Sequence, residues 1–289
     1  MATDLNTEGY INPLDNPAAA NAQINALLNE AKQEEVAKPN ISLPAGGNFT
    51  LPGGYVLGGD YASARYDAEV RELTGADEEA LTKARSGGIG KFVSTLLQAG
   101  TVSVAGMKAT PALLSELLLG DRDMLLLEIR RATYGDEVEW EHYSCPWCGE
   151  EFHLTITLDE IPVRRLDDPS KRVFEVELRR GRKAFVRLPV GSDQEALLAV
   201  AERATDSEQN TLLLSRCIIS VVEADGSEHA VSGNPDFARS LGIADRKTIL
   251  EAIEKNQPGP QYNDVKFTHD SCGKEVPLFI SAGDLFQGL

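Results

Sequence analysis

Two short stretches, Cys145-Pro146-Trp147-Cys148-Gly149 and His269-Asp270-Ser271-Cys272-Gly273, constrain the fold more than anything else in this chain. In each, two metal-binding side chains stand three positions apart and a glycine follows. That is the pattern of a tight turn that points both donors at one ion while the glycine keeps the backbone clear of them. Cys145 and Cys148 make half of a tetrahedral shell. His269 and Cys272 would complete it as a Cys3His set, one of the shells that structural Zn2+ occupies. Four protein ligands leave no open position, so the expected metal is a strut and not a catalyst.

Other readings of these residues have to be weighed. A Cys-x-x-Cys pair can be redox-active or incidental, and His269 can be a surface histidine. A thioredoxin-like pair opens a helix after a strand, whereas strand-like residues flank this one on both sides. Four cysteines are sparse for a secreted disulfide scaffold, and the N-terminus carries no signal-peptide pattern. His142 and His153 lie close enough to the first pair to be rival donors. Cys217, within Arg216-Cys217-Ile218-Ile219, has no partner at ligand spacing and reads as a small buried hydrophobe.

A second constraint is an internal repeat. Glu69-Val70-Arg71-Glu72-Leu73-Thr74-Gly75-Ala76-Asp77 aligns with Phe185-Val186-Arg187-Leu188-Pro189-Val190-Gly191-Ser192-Asp193. Leu96-Leu97 leading into Thr101-Val102-Ser103-Val104 aligns with Leu213-Leu214 leading into Ile218-Ile219-Ser220-Val221. Asp121-Arg122 aligns with Asp245-Arg246, and that register carries through to both metal pairs. Landmarks kept in order, with offsets that grow only by small insertions, point to a duplication.

Each half then follows one plan. An extended segment ends at a Gly-x-Asp turn, where Asp77 or Asp193 is expected to cap a helix. A second helix leads to a short strand, Thr101 to Val104 or Ile218 to Val222. A proline-started helix follows, capped by Thr110 or Asn234. The next helix, with Asp121 or Asp245 expected as its cap, buries Leu125, Leu126 and Ile129, or Ile249, Leu250 and Ile253. Strands then enter and leave each knuckle: Val138 to Tyr143 and Phe152 to Leu158, then Asn263 to Phe267 and Val276 to Ile280. The fold expected is α+β: two duplicated helix-plus-hairpin halves, 61–168 and 169–289, joined by a shared zinc-ribbon-like knuckle pair. Neither half owns a complete site, so metal binding and docking of the halves become one event.

Residues 1–60 form a separate arm in this reading. Asn16-Pro17 starts a helix over 18–37 with Ile24, Leu27, Leu28 and Ala31 on one stripe. Pro44-Ala45-Gly46-Gly47, Pro52-Gly53-Gly54 and Gly58-Gly59 then mark a loop-rich stretch with little to build a core.

Charge narrows the function. With 45 acidic against 28 basic residues the net charge is −17, which disfavours nucleic acid as a partner and with it a zinc-ribbon regulator of transcription. No apolar run reaches membrane-spanning length. Nine basic residues gather between Arg164 and Arg187. They read either as a docking surface for an acidic partner or as a solvated hairpin turning at Arg180-Gly181-Arg182, and the second is preferred because Glu175 and Glu177 lie opposite the arginines. Catalysis finds no footing: there is no Gly-x-Ser-x-Gly, phosphate loop or His-Glu-x-x-His, and no catalytic residue is nominated.

Arg71-Glu72-Leu73-Thr74-Gly75-Ala76-Asp77-Glu78-Glu79, Gly120-Asp121-Arg122-Asp123, Arg130-Arg131-Ala132-Thr133-Tyr134-Gly135-Asp136 and Cys145-Pro146-Trp147-Cys148-Gly149, in that order, resemble the baseplate hub assembly chaperones of T-even-like contractile-tailed phages and of phage-tail-like injection systems. Pro258-Gly259-Pro260, the second knuckle and Asp284-Leu285-Phe286 resemble the C-terminal portion of longer members. The resemblance covers about residues 66–289. The chain departs from the commoner pattern at His269, where a second thiolate is expected. The resemblance implies a non-enzymatic protein that acts in the host cytoplasm on the baseplate hub, tail tube or other tail proteins. Such a protein either leaves after assembly or stays in the virion; a permanent baseplate or tail subunit is the alternative.

Overall fold

The computed structural model describes residues 47–278, Leu285 and Phe286, and in the N-terminal segment Asn21 and Asn25, which are helical and exposed. The rest of the helix expected over 18–37, with its Ile24, Leu27, Leu28 and Ala31 stripe, lies outside the described residues. Pro44–Leu289 forms one unit.

Within it, β1 (Asn48–Tyr55), β2 (Arg65–Val70), β3 (Thr101–Val104) and β4 (Met107–Lys108) make a four-stranded sheet in that spatial order. Helices α1 (Gly75–Arg85) and α2 (Ile89–Gly100) run between β2 and β3. After β4 come α3 (Pro111–Glu116), α4 (Leu119–Tyr134) and the hairpin of β5 (Glu137–Ser144) and β6 (Glu151–Thr157). Short strand β7 (Val163–Arg164) leads to a second set: β8 (Val173–Glu177), β9 (Lys183–Arg187), α5 (Gly191–Leu198), α6 (Asp206–Cys217), β10 (Ile218–Val222), β11 (Glu228–Ala230), α7 (Pro235–Ser240) and α8 (Ile243–Asn256). Strand β12 (Gly259–Pro260) pairs with β7, and β13 (Lys266–His269) with β14 (Lys274–Pro277) makes the last hairpin. The second sheet is ordered β8-β9-β10-β11, so sheet, helices and hairpin recur with the same neighbours.

Local chemistry accounts for most of these elements. Helix α2 buries Phe92, Val93, Leu96 and Leu97 on one face, each worth about 1.5–3 kcal/mol of transfer free energy. Helices α3 and α7 start at prolines, as expected. Thr110 Oγ1 accepts from the Leu113 amide at 3.3 Å, and Asn234 Oδ1 accepts from the amides of Asp236 and Phe237, each at 3.0 Å. Helix α4 stops at Gly135, whose φ of 85° no side chain favours. Ile249 and Ile253 of α8 are buried and Leu250 is half-buried.

Of the aspartates expected as caps, Asp77 and Asp193 take part in capping from inside their helices, while Asp121 and Asp245 do something else. All four stand at the third helical position, not at the cap. Asp77 and Asp193 still accept from the amides before their helices, of Thr74 and Val190, each at 2.8 Å. They also pair with arginines: Asp77 with Arg71, Asp193 with Arg187 and Arg216. Asp121 reaches across to β1, and Asp245 to the turn between β8 and β9. Asp121 Oδ1 accepts from Gly53 N at 2.6 Å and Gly54 N at 3.3 Å. Asp245 accepts from Arg179 N at 3.0 Å and from Arg182 at 2.7 Å. The next residue in each helix follows suit: Arg122 donates to Leu114 O and Arg246 to Ala238 O, each at 2.8 Å.

Two further expectations change. The Pro-Gly-Gly stretch of the arm belongs to β1, where Leu51 is fully buried. Gly53 is required there, because a Cβ would stand 2.6 Å from Leu118 Cδ1 and 2.9 Å from Asp121 Oδ2. The basic stretch is not simply solvated. Arg164 donates to the carbonyls of Glu254 and Lys255 at the end of α8, Arg172 to those of Gly53 and Gly54, and Lys183 pairs with Glu175. In the second hairpin, Tyr262–Asp264 is a turn, and the entering strand begins at Lys266.

Two cores result. One joins β1, β2, α2 and α4 to Val138, Leu154 and Ile156 of the first hairpin, and takes in Val265, Leu278, Leu285 and Phe286 from the chain's end. The other is built by β8, β9, β10, α6 and α8. The last hairpin therefore roots in the first core, and this brings the two knuckles together.

Candidate metal centre

Both knuckles adopt the turn that their glycines permit. Gly149 has φ 75° and Gly273 φ 65°, and their amides close the turns on Cys145 O at 2.9 Å and His269 O at 2.7 Å. Each turn thus aims its two donors the same way.

The donors converge. Cys145 Sγ and Cys272 Sγ are 3.8 Å apart. His269 Nδ1 is 3.4 Å from Cys148 Sγ and 3.4 Å from Cys272 Sγ, and all four donor atoms lie within 4.8 Å of one another. An ion with sulfur at about 2.3 Å and imidazole nitrogen at about 2.05 Å makes tetrahedral edges of roughly 3.8 Å between sulfurs and roughly 3.5 Å between sulfur and nitrogen. The spacing fits that tetrahedron, and the sulfurs are too far apart for a disulfide, which needs about 2.05 Å.

Burial and polarity also suit an ion. Cys145 and His269 are buried, Cys272 is half-buried and Cys148 is exposed. Burial pushes the Cys145 thiol up, but the amides of Trp147 and Cys148 and the thiols of Cys148 and Cys272 outweigh it and bring it down to about 7. At Cys148 the Glu150 amide pulls downward, yet burial and the thiols of Cys145 and Cys272 leave it raised. One thiolate therefore forms readily and makes the next costlier, a conflict that a divalent cation removes.

Aromatic side chains fix the imidazole. Phe152 stacks on His269 with ring centroids 4.4 Å apart and on Phe267 at 5.3 Å, while Tyr143 meets Phe152 edge-on at 5.7 Å. Trp147 Nε1 crosses from the first knuckle to the second hairpin and donates to Glu275 O at 2.9 Å. These residues were not foreseen as part of the site, although strand alternation offers a signal: Phe267 and His269 are two apart and share a face. The same alternation removes the rival donors. His142 and His153 neighbour Tyr143 and Phe152 on the opposite face; both are exposed, near Glu151 and Glu139, and outside the cluster. Cys217 is fully buried in the second core, and burial pushes its thiol up to about 12.

The family model for the T4 bacteriophage base plate protein matches residues 50–286 of this chain. The chain belongs to that family. No curated protein and no solved structure matches it. In this T4 base plate family protein the matched span takes in both sheets and both knuckles, and it ends at Phe286, whose side chain is buried in the first core. Among the described residues no helix is long and apolar enough to cross a membrane.

Proposed function

We propose that this base plate family protein is a non-enzymatic factor for assembly of the baseplate hub or tail tube, built of two duplicated halves tied by one structural Zn2+ on Cys145, Cys148, His269 and Cys272. The observation that carries the reading is the tetrahedral spacing of four donors drawn from two hairpins inside the family-matched span. A shell filled by protein leaves no position for substrate, so the metal supplies a cross-link. The duplication is supported by recurrence of element order and by the matched duties of Asp121 and Asp245, and of Arg122 and Arg246. A net charge of −17 keeps such a factor off nucleic acid and leaves other baseplate or tail proteins as its partners.

A second reading, a permanent baseplate or tail subunit, fits the description of the matched family as a base plate protein. Quantitative mass spectrometry of infected-cell lysate and of purified mature particles separates the two. An assembly factor is abundant in the lysate and missing from particles. A subunit remains in particles at a fixed ratio.

A further inference from the structure

The two sets of elements hold each other along a short seam. Residues 117–119, at the entry to α4, lie antiparallel to residues 189–191, at the entry to α5. Leu119 N donates to Pro189 O at 3.2 Å, and Gly191 N to Leu117 O at 2.9 Å. Arg122 then crosses the seam: its Nε donates to Gln194 Oε1 at 3.0 Å and its Nη1 to Glu195 Oε1 at 3.3 Å. Gly191 is buried there without room for a side chain, because a Cβ would stand 2.7 Å from Leu114 O and closer still to Arg122 Nη1.

Each side of the seam has an unused counterpart. In the register of the repeat, residues 117–119 correspond to 241–243 at the entry to α8, and residues 189–191 to 73–75 at the entry to α1. Ile243, in the place of the half-buried Leu119, is 87% exposed. A Cβ on Gly242 or on Gly75 would meet nothing within 4 Å, and the amides of Ile243 and Gly75 have no acceptor among the described residues. Arg246, in the place of Arg122, spends its Nη atoms on Ala238 O, Ser207 O and Thr211 Oγ1, while its Nε has no partner among the described residues. Glu78 and Glu79, in the places of Gln194 and Glu195, are exposed. Water can serve these groups, so neither edge is strained. The two edges match each other in hydrogen bonding and, through Arg246 and the two glutamates, in charge.

We propose that these edges bind each other between molecules, so that the chain associates with further copies of itself, head to tail. Ile243 N of one copy donates to Leu73 O of the next, Gly75 N of the second donates to Leu241 O of the first, and Arg246 meets Glu78 and Glu79. These are the contacts by which the two halves of one chain already hold each other. The two edges are different surfaces, so the contact is heterologous and builds a ring or a filament. The proposal rests on the duplicated halves of the reading above; zinc content and particle composition test that reading independently of the masses measured below.

The test is the mass of the purified full chain by sedimentation velocity, from about 1 µM to about 1 mM. The wild type should gain mass with concentration. Ile243→Asp spoils one edge, and Gly75→Leu fills the other where the equivalent Gly191 has no room; both positions are exposed, so neither variant should lower the melting temperature. Each variant alone should associate about tenfold or more weakly. Mixed in equal amounts they retain one sound edge each, and should form a dimer of wild-type affinity that grows no further. A wild type that stays monomeric throughout, association that both variants leave unchanged, or a mixture that forms no dimer would overturn the proposal.

Discussion

Asp121 is a buried carboxyl with strongly perturbed electrostatics. Its side chain is fully buried, and burial pushes it up to about 7 despite the amides of Gly53 and Gly54 and the nearby Arg172. Because the folded-state value is raised above the ordinary 3.8, the stabilisation is complete below pH 4 and is lost as pH rises toward 7. About three pH units correspond to on the order of 4 kcal/mol. The stability of the wild type relative to Asp121→Asn should therefore grow as pH falls from 7 to 4, measured by urea unfolding at each pH. Asp193 has the opposite sign. Burial raises it, but Arg187, the Val190 amide and Arg216 hold it below the usual carboxylate range, so its contribution fails only under acid conditions, below pH 4. Asp193→Ala leaves two arginines facing an empty site and should cost about 3–5 kcal/mol. Asp77→Ala, whose residue is partly exposed and has one arginine partner, should cost about 1–2 kcal/mol. The sequence identified these aspartates as structural but mistook what Asp121 and Asp245 hold. An Asp near a helix start is visible in one dimension, but the glycine amides it meets from 67 and 68 residues away are not.

Among elements, α4 comes against the backbone that leads into β12. A Cβ on Gly120 would lie 1.6 Å from Pro258 O, a backbone atom that cannot swing aside. Gly120→Ala should thus lower stability by about 2 kcal/mol or more, read as a fall in the chemical-denaturation midpoint with the m-value unchanged. Elements with strong local signals were legible from sequence: the proline-started helices α3 and α7, the apolar stripe of α4, and strand β6. Strand β1 was not, because Pro52-Gly53-Gly54 carries turn residues. Those glycines answer to packing, since Leu118, Asp121 and Tyr66 press on a backbone with no room for side chains.

At the scale of the whole molecule, the convergence of Cys145, Cys148, His269 and Cys272 was the most legible feature, since side-chain type and spacing are written directly in the chain. What could not be read was that β13 and β14 root in the first core, or that Phe152 and Trp147 brace the second knuckle. Both hairpins depend on one ion in this account, so chelation should do more than loosen a loop. Incubation with a strong zinc chelator should lower the melting temperature and expose three of the four cysteines to a thiol reagent, leaving Cys217 protected in its core. The most direct test is the zinc content of the purified chain by elemental mass spectrometry, for the wild type and for Cys148→Ser and Cys272→Ser. The account predicts one zinc per wild-type chain and little in either variant; a wild type without zinc, or variants that keep it, would contradict the cross-link.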